Sequence, residues 1–390
     1  MCEIQNNDEK NGIGTKVVPV AEAVGMIIPH DITEIRPGEF KGRAFKKGHI
    51  IRQEDICRLQ RLGKEHLFVL EIKENEMHEN DAASAIAKAL AGDGVNMQGE
   101  PSEGKINLVA ARDGLLDVRQ DALLEFNLLG DVMCATVHRN TVVKKGQLVA
   151  GTRAIPLVVK RDIVEQAARI AQNVQGVLRV KEMKKPHAGI VITGNEVYYG
   201  KVKDAFEAVI TKKIKSVNGD IAGVRFAPDD AKHIEDRIRE LISDGADLII
   251  TTGGMSVDPD DVTRFAIRNL GVEEFIYGSP VLPGSMFLVA YLRKNAGKRK
   301  SGEGNSAEAR KRESAEATDS ELTGLRAYEL IPILGMPACG MYASITVFDL
   351  ILPRILAGEK IGRREIAELG HGGLCLKCDQ CRYPVCPFGK

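Results

Sequence analysis

The 390-residue sequence has no excess of charge of either sign, because lysine and arginine total 54 and aspartate and glutamate also total 54. This balance gives no electrostatic reason for bulk binding to nucleic acid or to an anionic membrane, so a small or local ligand is expected. Long apolar runs are missing too: no window approaches the ~18 continuous apolar residues of a membrane span. The opening residues, MCEIQNNDEKNG, hold neither the basic n-region nor the apolar h-region of a secretory leader. A cytoplasmic protein is expected. Its length suits two or three domains at ~100–200 residues each.

Cysteine is sparse until the end of the chain. Cys2, Cys57, Cys134 and Cys339 are scattered, whereas Cys375, Cys378, Cys381 and Cys386 form a C-x2-C-x2-C-x4-C run. In a reducing compartment, such crowding suits a metal better than a disulfide framework. Close triplets of cysteine favour a [4Fe–4S] cluster, structural Zn²⁺ is the second reading, and an unmetallated tail is the third. His371, flanked by glycines, reads as a hinge residue rather than a substitute ligand.

Two textures divide the rest. From about residue 16 to 182 the pattern favours short strands with brief helical interruptions: INLVAA (106–111), VMCATVH (132–138), QLVAGT (147–152) and VLRV (177–180). FKKGHII and VKKGQLV echo one another, and two similar β-turns are the simpler reading than an internal repeat. Residues 161–173 place Ile163, Val164, Ala167, Ile170 and Ala171 at helical spacing and predict a linking helix. From residue 187 onward strands alternate with amphipathic helices, which predicts parallel strands with helices on both faces. Ligands of such sheets collect beyond the carboxyl ends of the strands, where TGNE, APDD and TTGG all fall. Residues 294–323 contain almost no large apolar side chain and are expected to form a disordered surface loop between two neighbouring strands. PACGMYASITVFDLILPRILAG, with Met341, Ile345, Phe348 and Leu352 on one face, is expected to be one helix.

The segment IITTGGMSVDPDDVTRF (249–265) is the chemically densest part. Two glycines let backbone N–H groups approach an anion, with the Thr252 and Ser256 hydroxyls nearby and a helix expected to begin near Pro259. Asp258, Asp260 and Asp261 exceed what helix capping needs. With Asp229 and Asp230 on the neighbouring turn, they point to Mg²⁺ held against a phosphate.

These loops resemble, in order, those of the molybdopterin-binding domain shared by molybdopterin adenylyltransferases, molybdopterin molybdenumtransferases and the enzymatic halves of gephyrin. The resemblance covers residues 187–358 and implies a three-layer α/β fold with a mostly parallel sheet, here preceded by a β-rich domain and followed by a short Cys-rich tail. With the textures read above, the chain divides into a flexible terminus (1–15), the β-rich domain (16–182), the binding domain (187–358, with the insertion) and a metal-binding tail (371–390), expected to be separable because the binding fold is complete by Gly358. By the family's pattern Asp261 and Asp229 are the catalytic, Mg²⁺-binding carboxylates. Thr193, Gly194, Asn195, Glu196, Thr252, Gly253, Gly254, Ser256, Pro283, Gly284, Gly335 and Pro337 are implied to contact the pterin or its phosphate. Asn195 and Asp258 stand where the family usually has aspartate and glycine, and LPGS and GMPA lack its lysine or asparagine. The activity implied is insertion of molybdate into adenylated molybdopterin with Mg²⁺-assisted release of AMP. A non-catalytic carrier or sensor of the cofactor, serving a molybdenum or tungsten enzyme, is the alternative. Relatives with this domain imply a homo-oligomer.

Overall fold

The computed structural model describes residues 15–36, 40–70, 72–255, 261–294 and 330–389. The expected flexible terminus and, from residue 295 onward, the expected disordered loop lie outside these residues, as do Ser256, Asp258 and Asp260. Backbone contacts divide the chain into two compact units, Met1–Met183 and Lys184–Lys390. Among the described residues no helix is long and apolar enough to cross a membrane.

Among the described residues the first unit shows two separate cores. Val18, Ile28, Phe45, Ile51, Leu59 and Val69 belong to one, beneath the antiparallel pair Thr15–Pro19 and His66–Leu70 and the hairpin Ile32–Arg36 with Phe40–Phe45. The larger core lies under a four-stranded antiparallel sheet ordered Val95–Ser102, Lys105–Ala110, Leu148–Ala154, Val132–Thr136. The expected strands are present, and so is the helix Arg161–Asn173. Helix content exceeds the expectation: Asp55–Arg61, Glu79–Leu90 and Gln120–Asn127 are also helical. Glu79–Leu90 buries Ala82, Ala83, Ile86, Ala87 and Leu90 at helical spacing. Its apolar stripe is mostly alanine, which favours helix but gives little hydrophobic contrast in the sequence.

The two echoing segments fold alike well beyond their turns. His49 N–H donates to Lys46 O and Gln147 N–H to Lys144 O, at 3.0 and 2.9 Å. Gly48 and Gly146 take positive φ (81° and 83°). Each glycine N–H donates to the carbonyl three residues before an aspartate, Ile28 and Ala110 respectively. That aspartate, Asp31 or Asp113, accepts the amide of the second lysine at 2.7 or 2.8 Å. The same latch closes both turns, so the equivalence extends past a shared turn type.

In the second unit we number β1 (His187–Thr193), β2 (Asp220–Ala227), β3 (Leu248–Thr252), β4 (Glu274–Tyr277), β5 (Leu288–Arg293) and β6 (Leu330–Met336). The helices are α1 (Asn195–Tyr198), α2 (Phe206–Ser216), α3 (Ala231–Ser243), α4 (Thr263–Asn269), α5 (Val347–Leu356) and α6 (Arg363–Glu368). The sheet order is β2-β1-β3-β6-β5-β4, with the first four strands parallel and β5 and β4 antiparallel to their neighbours. Buried runs such as LIITT suit strands covered on both faces. Ile234, Ile238 and Leu241 of α3 and Ala266 and Ile267 of α4 share a core with Val191, Ile249 and Ile333 of the sheet. Lys213 of α2 pairs with Asp349 of α5 at 2.5 Å.

Three local expectations are corrected. The segment after β6 is not one helix: Ala338–Met341 is a 3₁₀ turn, and α5 starts only where Thr346 caps it in a capping box with Asp349. Thr346 breaks the run because its hydroxyl accepts the Phe348 amide at 3.3 Å. The helix expected near Pro259 begins at Thr263. The tail, expected to stand apart from the domain, is built into it. Leu374 bridges Leu282, with Leu282 N–H to Gly373 O and Cys375 N–H to Leu282 O both at 2.8 Å. Phe388 is buried, and a side chain at Gly389 would come within 2.4 Å of Leu350.

Candidate functional site

Parallel strands bring the ends of β1, β2, β3 and β6 to one edge of the sheet. Because β5 runs the other way, the 282–287 loop that enters it reaches the same edge, where Leu288 pairs with Gly335. Thr193 to Glu196, Asp229, Thr252 to Gly254, Gly284 and Gly335 are therefore brought to this edge, together with Met255.

The turn after β3 tolerates only glycine. Gly253 has φ of 78°, and a Cβ there would lie 2.3 Å from Thr193 O. Gly254 has φ of 54°, and its Cβ would lie 2.4 Å from Thr263 Oγ1. A backbone packed this closely, in a region that L side chains rarely adopt, leaves no room for a side chain at either position. Thr193 fixes the turn from below: its hydroxyl donates to Thr252 O at 2.7 Å and meets Thr263 Oγ1 at 2.9 Å. All three threonines are buried, and the Thr252 hydroxyl finds no hydrogen-bond partner among the described residues. Sequence reasoning missed Thr263 and Met255. Met255 packs where a Cβ on Gly335 would sit, 2.2 Å from its methyl carbon, and so ties the turn to β6.

Among the described residues, Asp229 and Asp230 are committed to different partners. Asp229, half-buried, is clasped to Asn195: Asn195 N–H donates to Asp229 Oδ2 at 2.9 Å, and Asp229 N–H donates to Asn195 Oδ1 at 3.2 Å. Asp230 instead caps α3, accepting the His233 amide at 2.9 Å and meeting its Nδ1 at 2.7 Å. Those bonds, led by the backbone amide, hold its carboxyl below its usual range. Its place in the acidic group is thus structural. Asp261 is half-buried just before α4. Among the described residues no three His, Cys, Asp or Glu side chains are drawn together closely enough to hold a metal ion.

At the β5 and β6 end of this edge lies a second concavity. Gly284, with φ of 130°, packs its backbone against Val347 at the start of α5. Pro283 and Cys339, from the loops entering β5 and leaving β6, line a cavity of about 420 Å³ together with Cys375, Cys378, Cys381 and Cys386. Cys339 was missed as a site residue because it is isolated in sequence. Burial raises its thiol above the ordinary range. Tyr383 of the tail is pushed up to about 12, by burial first and then by the neighbouring charges of Asp349 and Cys386.

Residues 189–357 match the family model described as "Probable molybdopterin binding domain", and residues 17–71 match that of a domain of unknown function. A CinA-like protein of Mycobacterium avium is 38% identical over 88 residues, 21% of this chain and 20% of that protein. A CinA-like protein of Mycobacterium tuberculosis is 37% identical over 92 residues, 22% of this chain and 21% of that one. The chain spans about a fifth of the length of these curated relatives. Among solved structures, the molybdopterin biosynthesis MoeA protein of Pyrococcus horikosii covers 88% of this chain and 75% of its own, at 14% identity and a TM-score of 0.29. The tungsten cofactor synthesizing protein MoaB of Pyrococcus furiosus covers 44% and 89%, at 13% identity and a TM-score of 0.28. Residues 189–357 of this chain belong to the molybdopterin-binding domain family.

Proposed function

We propose that this chain works in molybdenum cofactor biosynthesis, binding molybdopterin or its adenylate at the carboxyl edge and inserting molybdate as AMP is released. The observation that carries the reading is the turn at Gly253 and Gly254, where a Cβ would strike Thr193 or Thr263 and only bare backbone can meet a ligand. Amides presented this way suit a phosphate. Thr193 and Thr263 hold the turn in place, and Asn195 orients Asp229 at the end of the neighbouring strand.

Asp229 and Asp261 are the carboxylates proposed to hold Mg²⁺. A site of one or two carboxylates completed by substrate phosphate oxygens is usual for this ion, which is why the proposal needs no third protein ligand. When bound, the ion neutralises charge developing on the phosphoryl oxygens. In the hydrolysis of the adenylate, water adds to phosphorus as the bond to the AMP oxygen breaks. Positioning of those two groups is what the chain contributes. The four tail cysteines are proposed to bind a [4Fe–4S] cluster or Zn²⁺. The same proposal includes a cytoplasmic homo-oligomer that hands its product to a molybdenum or tungsten enzyme.

A second reading, a cofactor carrier without turnover, is favoured by the neutral Asn195 beside Asp229 and by the lack of lysine or asparagine in LPGS and GMPA. Release of AMP from adenylated molybdopterin, measured with molybdate and Mg²⁺, separates the two. Turnover supports the transferase. Tight binding with no AMP released supports the carrier.

A further inference from the structure

Beside the glycine turn, in the first turn of α4, stands Arg264. It follows Thr263, whose hydroxyl meets Thr193 and lies where a Cβ on Gly254 would sit. The central carbon of its guanidinium lies over the rings of Phe265 and Tyr277, 4.9 and 5.4 Å from their centroids. Tyr277 in turn donates its hydroxyl to Met255 O, in the residue that follows Gly254. Strand pairing sets Tyr277, Leu288, Gly335 and Thr251 in one row of the sheet, so Tyr277 stands at the carboxyl ends of the parallel strands. The guanidinium is thus carried to the edge that holds Gly253 and Gly254.

Elsewhere in this unit arginines meet carboxylates, as Arg225 meets Asp244 at 2.7 Å and Arg354 meets Glu359 at 2.6 Å. Arg264 is half-buried, and its buried Nε has no hydrogen-bond partner among the described residues. A donor left in that state asks for an explanation outside the fold itself. Stacking occupies the faces of a guanidinium and leaves its in-plane N–H donors to fork onto an oxyanion. The charge of this edge points to the same need: Glu196, Asp229 and Asp261 are acidic, and neither LPGS nor GMPA carries a basic residue. A phosphate set among carboxylates is repelled unless a cation stands beside it. Arg268, one turn along α4, makes an internal comparison. It lies over Phe275 at 4.6 Å, but it is exposed, and Phe275 precedes Tyr277 by two residues in β4, away from the edge.

We propose that Arg264 is the phosphate-binding cation of this edge, its terminal nitrogens donating to oxygens of the ligand's phosphoryl group while Tyr277 and Phe265 position it. This inference rests on the proposal that the edge holds adenylated molybdopterin, and goes beyond it by assigning the side chain that answers the ligand's negative charge. No proton moves in this contact, because the guanidinium stays charged at every working pH. The ligand class it selects is a phosphate ester, and a diphosphate such as the adenylate before an uncharged pterin. Lysine is a poor substitute here, since an ammonium neither forks onto two oxygens nor stacks in the same way. A contact already made with the bound ligand acts on affinity, so it serves the transferase and the carrier alike.

The test uses the full chain, with affinity for adenylated molybdopterin and for inorganic pyrophosphate measured by titration calorimetry at low and at high salt. The variants are Arg264→Met, which keeps an apolar stem, Arg264→Lys, which keeps the charge, and Arg268→Met as the control, each checked for an intact melting transition. We expect Arg264→Met to weaken both ligands at least about tenfold and to lose much of the salt dependence of binding. Arg264→Lys should weaken them by less, and Arg268→Met should stay within about twofold of the wild type. Should Arg264→Met unfold, the wild type replaces it: after treatment with an arginine-specific dicarbonyl reagent, mass spectrometry should find Arg264 protected by saturating pyrophosphate while Arg268 reacts as in the free chain. A folded Arg264→Met that binds as the wild type does, a loss as large in Arg268→Met, or an Arg264 modified alike with and without pyrophosphate overturns the inference and leaves the cofactor reading intact. Arg264-dependent binding of pyrophosphate with no binding of adenylated molybdopterin overturns the cofactor reading and keeps Arg264 as a phosphate-binding residue. A wild type that binds neither ligand overturns both.

Discussion

At Gly253 the physics reduces to one missing atom. A methyl group at φ of 78°, only 2.3 Å from a backbone carbonyl, has no rotamer by which to escape. Gly253→Ala should therefore cost roughly 1–3 kcal/mol of stability, read as a fall in Tm, and weaken binding of adenylated molybdopterin. An unchanged Tm would show that the turn relaxes freely. Asp261 belongs to the same scale but to a different ledger of effects. If it positions Mg²⁺ against the phosphoryl group, Asp261→Asn should cut AMP release by on the order of 10²-fold while leaving affinity within a few-fold, since the loss is confined to the transition state. Equal losses in affinity and rate would mark it as a structural residue. Asn195 makes the third residue-scale case. Its amide oxygen and N–H clasp Asp229 without charge, whereas Asn195→Asp would set two carboxylates face to face. That repulsion, on the order of 1 kcal/mol, should appear as pH rises through the carboxylate range, vanish in acid and be relieved by millimolar Mg²⁺. A melting temperature indifferent to both pH and Mg²⁺ would contradict the clasp.

At the scale of elements, the latched turns and the tail are the features that pattern reading could only partly see. The glycine and paired lysines of FKKGHII and VKKGQLV were legible, because turns are local. Asp31 and Asp113 were not, since each lies far from its turn in sequence and meets it only through tertiary folding. Each of these carboxyls is held below its ordinary value of 3.8, first by the lysine amide it accepts. A depressed carboxyl contributes stability that is full above that ordinary value and is lost as pH falls through the lower folded value. The gap in Tm between wild type and Asp113→Asn should accordingly be open at neutral pH and close in acid; a gap constant with pH would refute the ionic part of the latch. The tail is the stronger correction. A binding fold complete by Gly358 suggested a separable appendage, but Leu374 and Phe388 dock it through contacts that no local pattern reveals. Truncation after Ala357 should lower the Tm of the second unit, and survival of an unchanged melting curve would restore the separable tail.

For the whole molecule, what the sequence made plain was periodicity. Alternating strands and helices from residue 187 on, and runs such as AGIVIT and ADLIITT, suffice for a doubly covered sheet, because parallel strands need crossovers and burial on both faces. The edge follows from that topology, so the glycine turn and Asp229 were legible as neighbours before any coordinates. Less legible was what depends on side chains meeting across loops. Asp230 reads like Asp229 but is committed to capping α3. Thr263 and Met255 brace the turn from positions that carry no motif. In the first unit, alanine-faced helices such as Glu79–Leu90 hid among strands because their apolar stripe is faint. Both units thus show the same limit: local patterns place elements, and tertiary packing decides which polar groups remain available for chemistry.

The central claim is that a phosphate-bearing pterin sits on the carboxyl edge of the six-stranded sheet. Hydrogen–deuterium exchange of the full chain, with and without saturating adenylated molybdopterin, tests it directly, because the amides proposed to hold the ligand are themselves the probes. The account predicts slowed exchange in peptides spanning 193–196, 228–230, 252–262, 282–285 and 335–341, with Met1–Met183 unchanged. Saturable binding that protects only the first unit, or that leaves the 252–262 peptide exchanging as in the free chain, would contradict it.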